Sequence, residues 1–376
     1  MKAMTDAPAS AGTAIGRLQV PAPTYEGDFV LEEHFLLECG RTLAGVTLHY
    51  AVYGRLNAAR DNAVLVCHAL SGSALVGAWW PEVFGPGAML SLDHDFVICV
   101  NMLGSCYGST GPGSVDPETG AVYGADFPLI SIADNIRAQA RLLDSLGVHI
   151  LRLVMGGSLG GMQALDWTML YPDRVERAVI IGVAPVGAMG LALNHLQRQA
   201  IQHDPEWNGG RYLPQRPPRR GLALARQIAM LSYKSFELFE ERFARNPNRN
   251  GEDPWALDDE GGGLAAGRFD VAGYLDEQGR RFVDRFDANA YLAILRTMDT
   301  WDPLRHASAA DAFGGIRARL TFVGISSDWL FPPQDVRRFA ESVRSAGVRA
   351  EYREMVSSHG HDAFLAEQAE LVRLLQ

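Results

Sequence analysis

The residues best suited to do chemistry lie in Gly156-Gly157-Ser158-Leu159-Gly160, a G-x-S-x-G pentapeptide. An apolar run with Leu151, Leu153 and Val154 precedes it, and a helical pattern from 162 to about 171 follows, stopping before Pro172. Strand, sharp glycine turn, serine and helix together lift a nucleophilic hydroxyl above the carboxyl edge of a sheet. The glycines allow neighbouring backbone to approach where a Cβ would not fit. The Leu159 N–H is then available to a developing oxyanion. A serine hydroxyl near neutral pH needs a general base, and the base needs a carboxylate to orient it. With such an elbow, the partners are expected in the chain order serine, acid, histidine. Five histidines follow Ser158: His195, His203, His306, His359 and His361. Of these, His359 and His361 follow the last expected strand, in Ser358-His359-Gly360-His361. Asp328 stands just past a buried strand, in Ser326-Ser327-Asp328-Trp329-Leu330-Phe331-Pro332. Ser158, Asp328 and one of the two late histidines form the predicted nucleophile, acid and base. A second oxyanion donor is expected after the first parallel strand, at the Leu70 N–H.

The elements that must position these groups read as alternating buried strands and helices. An antiparallel opening hairpin is expected over 29–53, around Cys39-Gly40-Arg41. Val64-Leu65-Val66-Cys67 and Phe96-Val97-Ile98-Cys99-Val100 are uniformly apolar, as strands of a sheet covered on both faces are. A long loop, 101–127, is dense in Gly, Ser and Pro, and loops of that length in compact domains are usually functional. Ser131-Ile132-Ala133-Asp134 has the spacing of a capped helix start. Ile136, Ala140, Leu143 and Leu146 continue it at helical intervals to Gly147. A strand at 178–181 follows the elbow helix. The predicted architecture is a doubly wound, mostly parallel α/β sheet over 24–185 and 311–376. Between them, 186–310 reads as a helical lid, with helices at 193–204, 222–233, 235–245 and 288–298 and polar breaks at 214–220 and 246–263. The sheet resumes at 319–323 and 349–355, and a last helix is expected over 363–375. Residues 1–23, rich in Ala, Ser, Thr and Pro and without an apolar signal core, read as a disordered tail.

Composition excludes several classes. The 376 residues are 47% hydrophobic, enough for a large core, and carry a formal charge of −10. A nucleic-acid binder would show a basic balance instead. Cys39, Cys67, Cys99 and Cys106 lack metal-ligand spacing and fit a reducing cytoplasm. No metal site is evident. The uncharged run 178–193 is too short for a membrane span and is broken by Pro185, so it reads as a core strand followed by a loop. The cations are almost all arginine, with Lys2 and Lys234 the only lysines.

Several motifs together resemble the homoserine O-acyltransferase family of α/β-hydrolase-fold enzymes. They are His68-Ala69-Leu70-Ser71-Gly72-Ser73, the run from Asn101 to Pro112, Tyr123-Gly124-Ala125-Asp126-Phe127-Pro128 and Gly156-Gly157-Ser158-Leu159-Gly160-Gly161-Met162-Gln163. Gln197-Arg198-Gln199-Ala200-Ile201, Asp328-Trp329-Leu330-Phe331-Pro332 and Gly360-His361-Asp362-Ala363-Phe364-Leu365 complete the set, in order, from about residue 28 onward. The resemblance selects His361 over His359 as the base. It implies that Arg226 holds an acceptor carboxylate, with Tyr233 two turns later, and that Asp362 holds its ammonium. Arginine's planar fork suits a carboxylate, and an aspartate suits an ammonium. It further implies acyl-CoA (chiefly acetyl-CoA) as co-substrate, L-homoserine as acceptor, no bound cofactor, a role in methionine biosynthesis and a cytoplasmic homodimer. Ala184-Pro185-Val186-Gly187-Ala188-Met189-Gly190-Leu191 lacks the polar, tryptophan-bearing pattern of many members, which leaves a succinyl-CoA donor open. L-Serine as acceptor, or plain ester hydrolysis, are the other readings of the same scaffold.

Overall fold

The computed structural model describes residues 20–85, 88–251, 253–255 and 268–376. Most of the expected tail, and part of the 246–263 break, therefore lie outside the described residues. Ten strands are present: β1 Tyr25–Leu31, β2 Phe35–Leu36, β3 Thr42–Leu43, β4 Val46–Gly54, β5 Ala63–Cys67, β6 Phe96–Val100, β7 Leu153–Gly157, β8 Arg177–Ile181, β9 Arg319–Ile325 and β10 Ala350–Met355. Eight form one sheet in the order β1-β4-β6-β5-β7-β8-β9-β10, while β2 and β3 pair separately. The β1–β4 and β4–β6 pairs are antiparallel, and every pair from β6 to β10 is parallel. The chain thus folds as a mostly parallel α/β-hydrolase sheet. Strands β5, β6 and β7 are buried at every position, as a sheet covered on both faces requires.

Helices α1 Val76–Trp79, α2 Ile132–Ser145 and α3 Leu159–Leu170 belong to the first half of the sheet. The α2 start is a full capping box: Ser131 Oγ accepts the Asp134 N–H, and the Asp134 carboxylate accepts the Ser131 N–H. Between β8 and β9 the described chain is helical: α4 Ala188–Gln202, α5 Arg219–Tyr233, α6 Phe236–Phe243, α7 Asp270–Val283, α8 Ala288–Thr300 and α9 Ala309–Phe313. Helix α10 Pro333–Ser345 and the pair α11 Ala363–Ala366 and α12 Gln368–Leu375 complete the chain.

Three expectations need correction. The run after the 178–181 strand is a loop only to Gly187, and Ala188 already starts α4. Pro185 breaks the strand but lies before the helix, where it does no damage. The terminal helix is interrupted at Glu367, so α11 and α12 are separate. Helices α7 and α10 occupy stretches for which the sequence reading assigned no element.

One buried contact ties the elbow helix to the end of the helical segment. Trp301, just past α8, donates its indole N–H to Asp166 Oδ1 of α3 at 2.8 Å. Burial pushes the Asp166 carboxyl up to about 7, the Trp301 hydrogen bond opposing and the Glu38 charge reinforcing the rise. A carboxyl bound more tightly to its proton in the fold contributes stability that is present at acid pH. That contribution is lost as pH rises through about 7. Asp166→Asn, neutral at every pH, should therefore be more stable than the parent at pH 8, and this advantage should shrink as pH falls below about 7 and be gone only at about pH 4, as read from melting temperatures.

Candidate active site

Strand β7 ends at Gly157, and the chain reverses at Ser158 with φ 57° and ψ −129° before α3 begins. That is a left-handed conformation rarely adopted by a non-glycine residue. It is held because the Ser158 N–H donates to Ile181 O at 2.8 Å and its carbonyl accepts from Gly161 and Met162. A Cβ at Gly160 would collide with the Cys67 carbonyl, so β5 and α3 approach only because that position is glycine. Ser158 is 7% exposed and lines a cavity of about 690 Å³ with Leu70, His361, Arg226, Tyr233 and Asp362.

The candidate acid and base arrive on loops after β9 and β10. Asp328 Oδ1 accepts the Leu330 and Phe331 N–H groups, each at 2.9 Å, which leaves Oδ2 directed at His361. His361 Nδ1 donates to that oxygen at 2.6 Å, and both side chains are almost wholly buried. Holding the proton on Nδ1 leaves Nε2 as the basic nitrogen. Nε2 is buried and has no hydrogen-bond partner. Burial alone would lower the His361 pKa. The Asp328 charge and hydrogen bond, with help from Asp362, outweigh burial and Lys234 and raise it above its ordinary value. The Ser158 hydroxyl shares the cavity without being bonded to Nε2, an interval that such sites commonly close when substrate binds.

His359 does not share this environment. Its Nδ1 lies 3.0 Å from Glu367 Oε1, at the start of α12. The loop is clamped from the helical segment. The Ser235 hydroxyl donates to Ser358 O, the Trp329 indole donates to Lys234 O at 2.9 Å, and Gly360 N–H donates to Ser327 Oγ at 2.9 Å. A Cβ at Gly360, where φ is 71°, would lie 2.6 Å from the Lys234 carbonyl carbon.

Arg226 stands on α5 facing the same cavity, its guanidinium 4.9 Å from the Phe282 ring and 5.5 Å from the Tyr233 ring. It has no carboxylate partner among the described residues, and its Nη1 is buried without a hydrogen bond. A buried, unpaired guanidinium nitrogen is costly unless an anion fills the space before it. Burial pushes the Tyr233 hydroxyl up, against the Arg226 charge. Asp362 is not free as the sequence suggested, because Oδ2 pairs with Lys234 Nζ at 2.9 Å. Its second oxygen remains available for a cation. Lys234 is the functional neighbour missed from sequence. Its only signal was that it is one of two lysines in a chain whose other cations are arginines. Arg285, also unforeseen, reaches from beyond α7 to Ser71 O at 3.0 Å and Tyr107 Oη at 2.5 Å. Leu70, an expected oxyanion donor, lines the cavity, and Leu159, the other, opens α3 directly after Ser158.

Residues 62–368 match the family model for the alpha/beta hydrolase fold. The homoserine O-acetyltransferase of Symbiobacterium thermophilum is 47% identical over 353 residues, covering 89% of each chain. The homoserine O-succinyltransferase of Alkalilimnicola ehrlichii is 42% identical, covering 89% of this chain and 91% of its own. Among solved structures, homoserine O-acetyltransferase from Bacillus anthracis superposes with a TM-score of 0.84 at 26% identity, covering 93% of this chain and 95% of its own. Esterase E22 superposes with a TM-score of 0.82 at 26% identity, covering 93% and 98%.

If His361 is the base, His361→Ala should slow acylation of Ser158 by roughly two to four orders of magnitude, and His359→Ala should do little. The wild-type rate should fall as pH drops through the raised His361 pKa. In Asp328→Asn the remaining activity should show this limb at lower pH. Pre-steady-state acylation against pH decides the assignment, and equal losses in the two histidine variants would refute it.

Proposed function

The chain belongs to the homoserine O-acyltransferases of the α/β-hydrolase fold, and we propose that it carries an acetyl group from acetyl-CoA to the hydroxyl of L-homoserine. The observation that carries the acceptor is the unpaired Arg226 lining the same cavity as Ser158. A bare ester substrate offers nothing to fill that space, whereas an α-carboxylate does, in two parallel hydrogen bonds. Acetyl is favoured over succinyl only by the 47% identity of the Symbiobacterium thermophilum acetyltransferase, since the other acetyl-named relatives, at 40–43%, overlap the succinyl-named ones, at 41–42%.

The reaction runs in two halves. His361 Nε2 takes the Ser158 proton as Oγ attacks the thioester carbonyl, and the Leu70 and Leu159 N–H groups receive the oxyanion. Collapse breaks the C–S bond, and the departing thiolate takes the proton from His361. The acceptor hydroxyl then gives its proton to Nε2 and attacks the Ser158 ester. A second collapse forms the new ester and returns the proton to Ser158. Arg226 and the open oxygen of Asp362 hold the acceptor's carboxylate and ammonium, so this alcohol outcompetes water. The helical segment 186–310 acts as the lid that carries Arg226 and Tyr233 over the sheet edge. Its exposed apolar side chains, including Leu224 and Leu231 of α5 and Leu196 of α4, suit burial against a second copy. A product of this kind places the enzyme in methionine biosynthesis.

Ser158→Ala should abolish both the acyl-enzyme seen by mass spectrometry and the transfer. Losing one charge-assisted contact costs about 1.5–3 kcal/mol. Arg226→Ala and Asp362→Asn should therefore acylate normally yet discharge slowly to homoserine, leaving an acyl-enzyme turned over mainly by water. Arg226→Lys should also be impaired, because an ammonium does not reproduce the fork. Unchanged discharge with collapsed acylation would refute the acceptor site. Single-turnover comparison of acetyl-CoA and succinyl-CoA decides the donor.

A further inference from the structure

His68, the residue after β5, is fully buried and takes no part in the chemistry just described. Its ring nevertheless lies between two backbone groups of opposite kind. Nδ1 is 2.8 Å from the Ala69 carbonyl oxygen, and Nε2 is 3.2 Å from the Met102 nitrogen. A carbonyl only accepts and an amide N–H only donates, so the proton sits on Nδ1 and Nε2 is bare. Protonating the ring would set a second N–H against that of Met102. Consistently, burial pushes the ring's pKa down to about 4, the Ala69 hydrogen bond opposing. The Ala69 carbonyl also accepts the Gly72 N–H at 2.9 Å, and Ala74 N–H donates to Asn101 Oδ1 at 2.6 Å. The 69–74 loop is thus tied to 101–102 at both ends.

The carbonyl held by His68 and the N–H of Leu70 are the two ends of one peptide group. In a trans amide they point in opposite directions, so fixing one aims the other. A hydrogen bond to the carbonyl also polarises the amide and strengthens its N–H as a donor. We propose that His68 is a positioning residue of the oxyanion site, its Nδ1–H orienting and polarising the Ala69–Leu70 amide whose N–H faces the charge developing on the acyl group. The inference rests on Ser158 being the acylated nucleophile.

Two isosteres separate this role from simple anchoring. An asparagine amide nitrogen reaches the place of Nδ1, whereas a glutamine reaches the place of Nε2. His68→Asn should keep the acylation rate within about threefold, and His68→Gln should lose about tenfold to a hundredfold, part of what a deleted oxyanion donor costs. Melting temperatures of the two should fall alike. A boronic acid that forms a tetrahedral adduct on Ser158 should bind His68→Gln more weakly in proportion, with KM for homoserine unchanged. Equal rate losses in the two variants, or undiminished boronic-acid binding to His68→Gln, would overturn the proposal. In the unaltered protein, nitrogen NMR should show His68 protonated at Nδ1, and an Nε2–H tautomer would overturn it without any variant. A fluorophosphonate that fails to label Ser158 in the parent would instead refute the nucleophile.

Discussion

The site depends on one backbone constraint: a serine held at φ 57° between a strand and a helix. Such a conformation costs on the order of 1–3 kcal/mol and persists only where surrounding structure over-determines it. Here the Ile181 carbonyl holds the Ser158 N–H, and Gly160 brings the Cys67 carbonyl against the start of α3. The close approach sets the separation between the end of β5 and the elbow. Ala69 and Leu70 therefore emerge into the same cavity as the serine, and both proposed oxyanion donors come from the same packed junction.

The acid and base are held differently, by polar contacts between loops. Asp328 spends one oxygen on two backbone N–H groups and the other on His361, so its orientation is set before any substrate arrives. The loop bearing His361 is pinned by Ser235 and Ser327, and the loop bearing Asp328 by the Trp329–Lys234 contact. Helix α5 carries Arg226, and the turn that follows it, Lys234 and Ser235, supplies part of this clamp. A displacement of the lid helix would thus disturb base and acceptor contacts together.

Much of this arrangement was legible because it rests on local chemistry. The elbow, the buried strands and the late Asp and His segments each leave short patterns whose order the topology dictates. What escaped depends on contacts distant in sequence. Helix α7 contains Gly273 and Gly279, which read as breakers. In the fold, Gly279 lies against the Ala223 carbonyl of α5, where a Cβ would stand at 2.9 Å, so the glycine serves helix packing. Helix α10 begins at Pro333, where the missing N–H costs nothing, and buries Val336, Phe339, Ala340 and Val343 at helical spacing. That stripe has helical spacing, but no element was assigned to it. The Lys234–Asp362 pair joins residues 128 apart and has no local pattern at all.

That pair also sets the charge account of the cavity. Arg226 and Arg285 line it with two positive charges and Glu26 and Asp362 with two negative ones; Lys234 and Asp328 add one of each from behind the lining, through their pairs with Asp362 and His361, and a neutral His361 adds none. A zwitterion enters such a site without unbalancing it, placing each pole against its opposite. A simple amine or a simple acid would leave one charge of the site uncompensated, and partly burying an unpaired charge is expensive. The electroneutral cavity is in this sense a filter for amino acids as a class, operating before any feature of the side-chain alcohol is read.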